Sequence, residues 1–461
     1  MKKCIFTKRS RINAPVEEVF RWHARPGALE RLSPPWDPLE VIHKSGGIEK
    51  GAKSVMKMKA APLPLKIKWV ADHTEYEENR LFRDRQIKGP FAYWVHTHKF
   101  EPDGASACYL EDEIEFALPF SPLGNFFGSS FVTQKLERIF HYRHSAIAGD
   151  IADHLSRKDK NPLSILISGA GGLVGSALVP FLTTGGHRVI RLVRKLPASG
   201  KEEVFWDPIT GRIDSDEIGK VDAVIHLSGE NIGRGRWTKE KKRKIIESRN
   251  ESTALLAETI AGLDPSPKVF VSASAIGFYG DRGEEVMTEE DTCGSDFISG
   301  VCSEWEQAAA PAVEQGIRVV FLRIGIALSP LGGALERLLL PFKLGLGGKL
   351  GSGNQYMSWI GIDDLICIIY YAINNDSLDG PVNAVAPDPV TNLEFTKILG
   401  KVLARPTVFS VPETAIKLAL GEMGREILLT STRVKSQKLA NSGYRFRNPG
   451  LEGVLRHLLG R

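Results

Sequence analysis

One stretch of the chain, residues 164–178, constrains the fold more than any other. A short apolar run leads into glycines spaced G-x-x-G-x-x-G, and a helical pattern follows them. Gly169 suits a tight turn, Gly172 a close backbone approach to a pyrophosphate, and Gly175 close packing of helix on strand. A helix beginning at Leu173 and Val174 would offer free N–H groups to phosphates. The stretch predicts dinucleotide binding, with an ordinary glycine turn as the alternative.

The sequence after residue 163 alternates between strand and helix. Predicted strands cover 164–168, 188–193, 221–227, 268–272, 317–323 and 381–385, and predicted helices 173–183, 238–261, 300–315 and 363–374. This alternation is typical of an α/β fold with a doubly wound, Rossmann-type parallel sheet. Residues 163–404 are therefore the predicted nucleotide-binding domain. Residues 405–461 form short amphipathic helices, which we expect to close one side of a substrate cleft.

Residues 1–150 show a different order of elements. Strand-like runs at 5–13, 66–76, 91–100 and 107–117 precede a long helical pattern over 125–148. This order predicts an α+β helix-grip domain, in which a curved antiparallel sheet holds one helix. The side chains of Trp69, Tyr93, Val95 and Phe131 either line an apolar cavity or form an ordinary core. A polar linker is expected over 151–162.

Composition excludes several classes of protein. The net charge is only +5 over 461 residues, and the basic run 239–244 fits a solvated helix face, so no nucleic-acid partner is expected. The five cysteines form no C-x-x-C pair, which argues against a disulfide framework or a zinc site. The apolar run 365–373 is too short to span a membrane, and no secretory signal opens the chain. The chain is predicted to be cytoplasmic.

The end of the second predicted strand indicates which nicotinamide cofactor is bound. An NAD site needs an acidic side chain there for the ribose 2′-OH. No Asp or Glu occurs between Gly175 and Glu202, and Arg194 directly follows the strand. A guanidinium suits a 2′-phosphate, so NADP(H) is the predicted cofactor. A surface charge without a ligand is the alternative reading of Arg194.

A third segment, 222–231, leads a strand into a loop of small residues. Leu227, Ser228 and Gly229, with Ser272 on the next strand, are predicted to pass close to the cofactor. With the glycine motif, this segment resembles the extended short-chain dehydrogenase/reductase superfamily. The motifs at Arg236-Trp-Thr, Ser248-Arg249, 272–280, Trp305-Glu306, 332–335, 347–353 and Ser358-Trp-Ile resemble its atypical NAD-dependent epimerase/dehydratase-like branch. That resemblance covers essentially all of 163–461 and includes a C-terminal DUF1731 segment.

The N-terminal region carries a second resemblance. Arg11–Phe20, 89–98 and 140–144 are similar to START-like, polyketide-cyclase-like domains, which usually enclose an apolar cavity. His96 and His98 share one strand face, as metal ligands would. No third potential ligand lies at a spacing typical of a metal site. His96 and His98 are therefore predicted to be hydrogen-bonded or surface histidines, and no metal site is expected.

The resemblance to the superfamily fails at its catalytic pair. Its members use Tyr-x-x-x-Lys, in which the lysine lowers the tyrosine pKa. Alignment on Glu306 places Ile298 and Cys302 at those positions, and neither can exchange a proton with a substrate oxygen. Ser274 and Tyr279 remain as candidate catalytic groups, although Tyr279 suits a structural role equally well. Gly361 also replaces a histidine that relatives often carry.

Two functions therefore remain open. The first is an NADP(H)-binding oxidoreductase or epimerase-like enzyme acting on an unidentified small carbonyl or sugar-like substrate. The second is a catalytically degenerate, nucleotide-binding regulatory protein, resembling cell-division inhibitors, whose N-terminal module binds a lipid or another apolar ligand. The sequence identifies neither the substrate nor the oligomeric state.

Overall fold

The computed structural model describes residues 3–59, 66–119, 123–157, 159 and 161–461. The chain divides into two compact units. Unit 1 comprises Met1–Asn161 with Pro180–Gly186 and His457–Arg461, and unit 2 comprises Pro162–Val179 with His187–Arg456. No helix within the described ranges is long and apolar enough to cross a membrane.

The described residues of unit 1 form one antiparallel sheet and three complete helices. Its strands are β1 Cys4–Ile12, β2 Glu40–Ser45, β3 Lys53–Lys59, β4 Lys66–Glu77, β5 Leu81–Lys88, β6 Tyr93–Pro102 and β7 Cys108–Ala117. Its helices are α1 Val16–Ala24, α2 Ala28–Arg31 and α3 Leu123–Ser156. The strand order is β1-β7-β6-β5-β4-β3-β2. This is the predicted helix-grip arrangement, although the sequence patterns missed β2, β3 and β5.

The alternation along β6 decides which side chains face the interior. Of the described residues of β6, Trp94, His96 and His98 line a cavity, and Tyr93 and Val95 do not. Phe131 is also outside the cavity and is 59% exposed. The expectation that these last three residues line the cavity was therefore wrong, while Trp69 does line it. Alternation along the sequence assigns the side chains of a strand to two faces, but it does not show which face is buried.

The helix α3 extends beyond its predicted end. It continues to Ser156 and so includes the first six positions of the segment 151–162, which we expected to be a linker. Residues 158 and 160 of that segment lie outside the described residues. Ile151 is buried in the core of unit 1 and Leu155 packs against it, so these apolar side chains hold the last turns of the helix in place.

Unit 2 contains a large sheet, several short strand pairs and ten helices within its described residues. The strands are β8 Ser164–Ser168, β9 Arg188–Val193, β10 Glu203–Asp207, β11 Arg212–Ile213, β12 Ala223–His226, β13 Val269–Ala275, β14 Val286–Met287, β15 Arg318–Ile324, β16 Ile326–Leu328, β17 Gly348–Leu350, β18 Tyr356–Met357, β19 Trp359–Gly361, β20 Gly380–Ala384, β21 Val390–Thr391, β22 Phe409–Val411 and β23 Arg433–Val434. The helices are α4 Leu173–Thr184 (whose last five residues belong to unit 1), α5 Lys239–Ala261, α6 Phe297–Gln307, α7 Ala310–Glu314, α8 Gly333–Lys343, α9 Ile362–Asn374, α10 Asn392–Leu403, α11 Glu413–Leu420, α12 Gln437–Asn441 and α13 Leu451–Leu459 (whose last three residues belong to unit 1).

The large sheet has the order β11-β10-β9-β8-β12-β13-β15-β20. All neighbouring strands from β10 to β20 pair in parallel, and β11 is an antiparallel edge strand. The order reverses between β8 and β12, which is where doubly wound sheets bind their ligands. The predicted Rossmann-type sheet is confirmed, with β10 as an additional strand. Its core is a cluster of buried apolar side chains that includes Leu166, Ile190, Val224 and Phe270.

Candidate functional site

The glycine loop after β8 has the geometry that a phosphate-binding turn needs. Gly169 has φ +72°, and a Cβ there would lie 2.7 Å from the carbonyl carbon of Leu227. A Cβ on Gly175 would lie 2.3 Å from the Gly169 oxygen, while one on Gly172 would lie 3.2 Å from it. Side chains at 169 and 175 would therefore force the loop apart. Leu173 and Val174 then begin α4 beside this loop.

The neighbouring strand places a second loop against the first. β12 ends at His226, and Leu227 donates its backbone N–H to the Ser168 carbonyl at 3.2 Å. Leu227 and Ser228 are half-buried, and Gly229 is exposed at the carboxyl edge of the sheet. Ser272 lies within β13 and is only 1% exposed. The structure thus brings the 169–175 and 227–229 loops together and places Ser272 one strand further on.

Arg249 also contacts this region, and sequence reasoning did not select it as a site residue. A Cβ on Gly229 would lie 3.3 Å from the Arg249 Cζ, so the guanidinium packs against the loop. Arg249 donates to the Ile245 and Glu230 carbonyls, which hold its side chain in place. The sequence contains the pair Ser248-Arg249 as a motif of the resemblance, but it does not show that Arg249 lies beside Gly229.

The arginines within β9 and directly after it differ in their ion-pair partners. Arg188 pairs with Glu202 at 2.6 Å, and Arg191 pairs with Glu203 at 2.6 Å. Arg194 directly follows β9, is exposed, and has no hydrogen-bond or ion-pair partner among the described residues. Arg194 is therefore the guanidinium in this group that can bind a ligand without first losing a carboxylate partner.

Ser274 and Tyr279 belong to one hydrogen-bonded network near the end of β13. Ser274 donates from Oγ to Glu306 Oε1 at 2.7 Å, and Arg323 donates to both oxygens of Glu306 at 2.9 Å. Tyr279 accepts from Arg323 Nη1 at 3.1 Å and donates to Asn383 Oδ1 at 2.7 Å. Tyr279 has no exposed surface, whereas Ser274 is 3% exposed at the carboxyl edge of the sheet. Burial raises the pKa of Tyr279 despite the nearby guanidinium.

Unit 1 encloses a cavity of about 660 Å³ between its sheet and α3. One part of the wall is apolar and includes Met56, Trp69, Phe91 and Leu136. Another part is polar and contains the side chains of His73, Asp84, His96, His98 and Arg143. The volume is large enough for a small organic ligand.

A buried carboxylate behind this wall orients the histidines. Asp112 Oδ1 accepts from His96 Nε2 at 2.8 Å, and Asp112 Oδ2 accepts from His144 Nε2 at 2.6 Å. His98 Nδ1 lies 2.6 Å from Asp112 Oδ1. Burial opposes ionisation of Asp112, but His98 and the hydrogen bonds outweigh it and hold the pKa of that carboxyl well below its usual range. Burial lowers the pKa values of His96 and His98, which favours neutral rings.

Comparison with known proteins gives the family. Residues 165–384 match the model of the NAD dependent epimerase/dehydratase family, residues 411–458 match DUF1731, and residues 12–139 match polyketide cyclase / dehydrase and lipid transport. An epimerase family protein of Mycobacterium bovis is 41% identical over 282 residues, which are 61% of this chain and 93% of the relative. The chain belongs to the epimerase family. Both resemblances drawn from the sequence motifs are therefore confirmed.

Two solved structures of epimerase-family relatives extend this result. A nucleoside-diphosphate sugar epimerase from Corynebacterium glutamicum is 36% identical, with a TM-score of 0.81 over 99% of this chain and 90% of its own. The human epimerase family protein SDR39U1, solved with NADPH, is 32% identical with a TM-score of 0.60 over 64% of this chain and 99% of its own. The first relative spans both units, and the second corresponds in length to unit 2 alone.

Ile298 and Cys302, which alignment on Glu306 assigns to the superfamily's Tyr-Lys pair, are packing residues. Ile298 and Cys302 belong to a hydrophobic cluster with Trp237, Ile245 and Met423. Their side chains pack beside Gly277, where an added Cβ would lie 2.3 Å from Ile298 Cγ2. Burial raises the pKa of the Cys302 thiol to about 12, so the thiol remains protonated at neutral pH. Neither side chain can therefore exchange a proton with a substrate oxygen at neutral pH.

Proposed function

We propose that unit 2 binds NADP(H), with the pyrophosphate on the 169–175 loop and the 2′-phosphate at Arg194. The observation that carries this proposal is the difference in pairing along β9, since Arg194 is exposed and unpaired among the described residues while Arg188 and Arg191 each hold a carboxylate. A guanidinium forms bidentate hydrogen bonds with phosphate, whereas NAD carries only a neutral 2′-hydroxyl at that position. The NADPH-bound human relative supports this choice.

Replacement of Arg194 tests the cofactor assignment. In Arg194→Ala the preference for NADPH over NADH should fall by roughly 1.5–3 kcal/mol, because one charged hydrogen-bonding partner is lost. Titration calorimetry with both cofactors measures the preference. Arg188→Ala is the matched control, because Arg188 lies at the other end of the same strand and is paired with Glu202. Equal affinities of the wild-type protein for NADPH and NADH would overturn the assignment.

For the reaction, we propose hydride transfer between NADP(H) and a small carbonyl or sugar-like substrate, with Ser274 rather than Tyr279 hydrogen-bonding the reacting oxygen. Ser274 lies at the carboxyl edge of the sheet, where such substrates bind. Tyr279 is fully buried, and its hydroxyl already joins Asn383 and Arg323. Rotation of the Ser274 hydroxyl away from Glu306 would free it for a ligand.

A regulatory protein that binds the nucleotide without turnover is the second candidate. The replacement of the acid/base pair by Ile298 and Cys302 within an apolar cluster favours it. NADPH oxidation measured over a panel of carbonyl compounds separates the two candidates. Turnover of any of these compounds supports the enzyme, and tight NADPH binding without turnover supports the regulatory protein.

For unit 1, we propose that the cavity binds an apolar small molecule. Its volume and its apolar wall support this, as does the match to polyketide cyclase / dehydrase and lipid transport domains. Native mass spectrometry of the intact chain, before and after extraction with organic solvent, tests for such a ligand.

A further inference from the structure

The polar wall of the unit 1 cavity contains three potential ligand atoms that face one another. Asp84 lies directly opposite His96 in the pairing of β5 with β6, and His98 follows two residues along β6 on the same face. Asp84 Oδ2 lies 3.6 Å from His96 Nδ1 and 3.9 Å from His98 Nε2. One ligand atom from each residue lies within 4.8 Å of the other two.

The partners on the far side of each ring determine which nitrogens carry protons. Asp112 accepts from His96 Nε2, which therefore holds the proton in the neutral ring, and the short distance of 2.6 Å to Asp112 Oδ1 favours the proton of His98 on Nδ1. The nitrogens facing Asp84 therefore carry lone pairs, and so does the Asp84 carboxylate. Three such atoms that converge on one point can all bind a single cation.

The distances suit a metal ion better than direct hydrogen bonds. Separations of 3.6 and 3.9 Å are too long for a hydrogen bond. A tetrahedral ion with bonds of about 2.0–2.1 Å holds its ligands roughly 3.4 Å apart, so small side-chain movements would complete the site. Asp112 has the position of the outer carboxylate that commonly fixes metal-bound histidines.

The burial and the charge of these side chains also favour a bound cation. His96 is 5% exposed and His98 7% exposed, and the side chain of Asp84 is 16% exposed. Asp84 and Asp112 place two carboxyl groups beside these rings, and Arg143 also lines the cavity. Burial raises the pKa of Asp84, and a divalent cation bound here would favour the ionised form of that carboxyl.

We propose that Asp84, His96 and His98 bind one divalent first-row transition ion, such as Zn²⁺ or Co²⁺, at the cavity wall. Two imidazoles and one carboxylate are a donor set that such ions favour over Mg²⁺ or Ca²⁺. Three protein ligands leave a coordination position for a water molecule or an oxygen atom of a cavity ligand. This site is separate from the nucleotide loops and does not depend on their function.

Cobalt titration of the full-length chain tests the site. The protein is stripped with a chelator and titrated with Co²⁺, while ligand-field absorption reports tetrahedral or five-fold coordination, and Zn²⁺ calorimetry gives the stoichiometry. We expect one equivalent for the wild type and at least a 100-fold weaker affinity in Asp84→Asn and His98→Gln. Asp112→Asn should weaken binding by 10–100-fold, since it acts through the rings.

The controls separate metal binding from folding. His43 is an exposed histidine on β2, and His43→Gln should bind Co²⁺ like the wild type. Circular dichroism melting in chelator identifies any variant that fails to fold, and unchanged NADPH affinity shows that unit 2 is intact. The proposal is overturned if the wild type binds no Co²⁺ or Zn²⁺, or if folded Asp84→Asn and His98→Gln bind both ions as tightly as the wild type.

Discussion

Each unit contains a buried carboxylate that collects hydrogen bonds, and the two differ in their partners. Asp112 in unit 1 is surrounded by His96, His98 and His144. Glu306 in unit 2 is held by the Arg323 guanidinium and by Ser274. A guanidinium has no acceptor and stays charged at all relevant pH values, whereas an imidazole that donates from one nitrogen presents a lone pair on the other.

This difference separates a structural network from a ligand-binding one. From Glu306 the unit 2 network runs through Arg323 and Tyr279 to Asn383, which donates to the Lys435 carbonyl, while Ser274 is its end at the carboxyl edge of the sheet. The Asp112 network leaves two ring nitrogens facing a cavity of about 660 Å³. Burial of polar groups therefore stabilises the fold around Arg323 in unit 2 and prepares a site in unit 1.

The largest effect is expected when Glu306 is removed. In Glu306→Ala the Arg323 guanidinium, whose side chain is 5% exposed, loses its carboxylate. An uncompensated buried charge should lower the free energy of unfolding by about 3–5 kcal/mol, as measured by urea denaturation. Glu422→Ala, which breaks the half-exposed pair with Lys242, should cost about 0–1 kcal/mol. Similar losses in the two variants would show that the Glu306 network is not structural.

A second prediction concerns a buried histidine of unit 2, whose charge can change with pH, unlike that of the Arg323 guanidinium. His226 in unit 2 is fully buried between Ser168 and Ser252, and burial lowers its pKa to about 3. Because the unfolded chain takes up a proton near pH 6.5 and the folded chain does not, stability contributed by the neutral ring is lost as pH falls from about 6.5 toward 3.

At pH 4.5 the loss from His226 should reach about 2–3 kcal/mol relative to neutral pH. Hydrogen exchange of the β8 and β12 amides across this pH range measures it within unit 2. His226→Asn should weaken the pH dependence because the titrating group is absent. An identical pH dependence in that variant would assign the acid sensitivity to other groups.

The smallest effect on binding is expected at Ser274. Ser274→Ala should abolish any NADPH-dependent turnover yet change NADPH affinity by less than about 1 kcal/mol, because phosphate contacts dominate cofactor binding. Steady-state kinetics and calorimetry measure the two quantities separately. Unchanged turnover would place the proton donor elsewhere and make Tyr279 the next residue to replace.

The sequence alone determined those features that depend on local patterns. The spacing of Gly169, Gly172 and Gly175 between an apolar strand and a helix was enough to predict the loop, because the turn and the close packing are made by neighbouring residues. The alternation of elements predicted the parallel sheet, because each strand and helix carries its own hydrophobic period.

Only the tertiary structure decided which distant side chains meet. Asp84 is 12 residues from His96 in sequence, on the strand β5, which the sequence patterns missed, so no spacing could identify it as a third ligand. Ser274 faces Glu306, and Tyr279 faces Asn383, because helix packing and sheet register bring them together. The residues of the cavity wall also depend on which face of β6 the helix covers. Alternation along a strand defines two faces, and only packing decides which of them is buried.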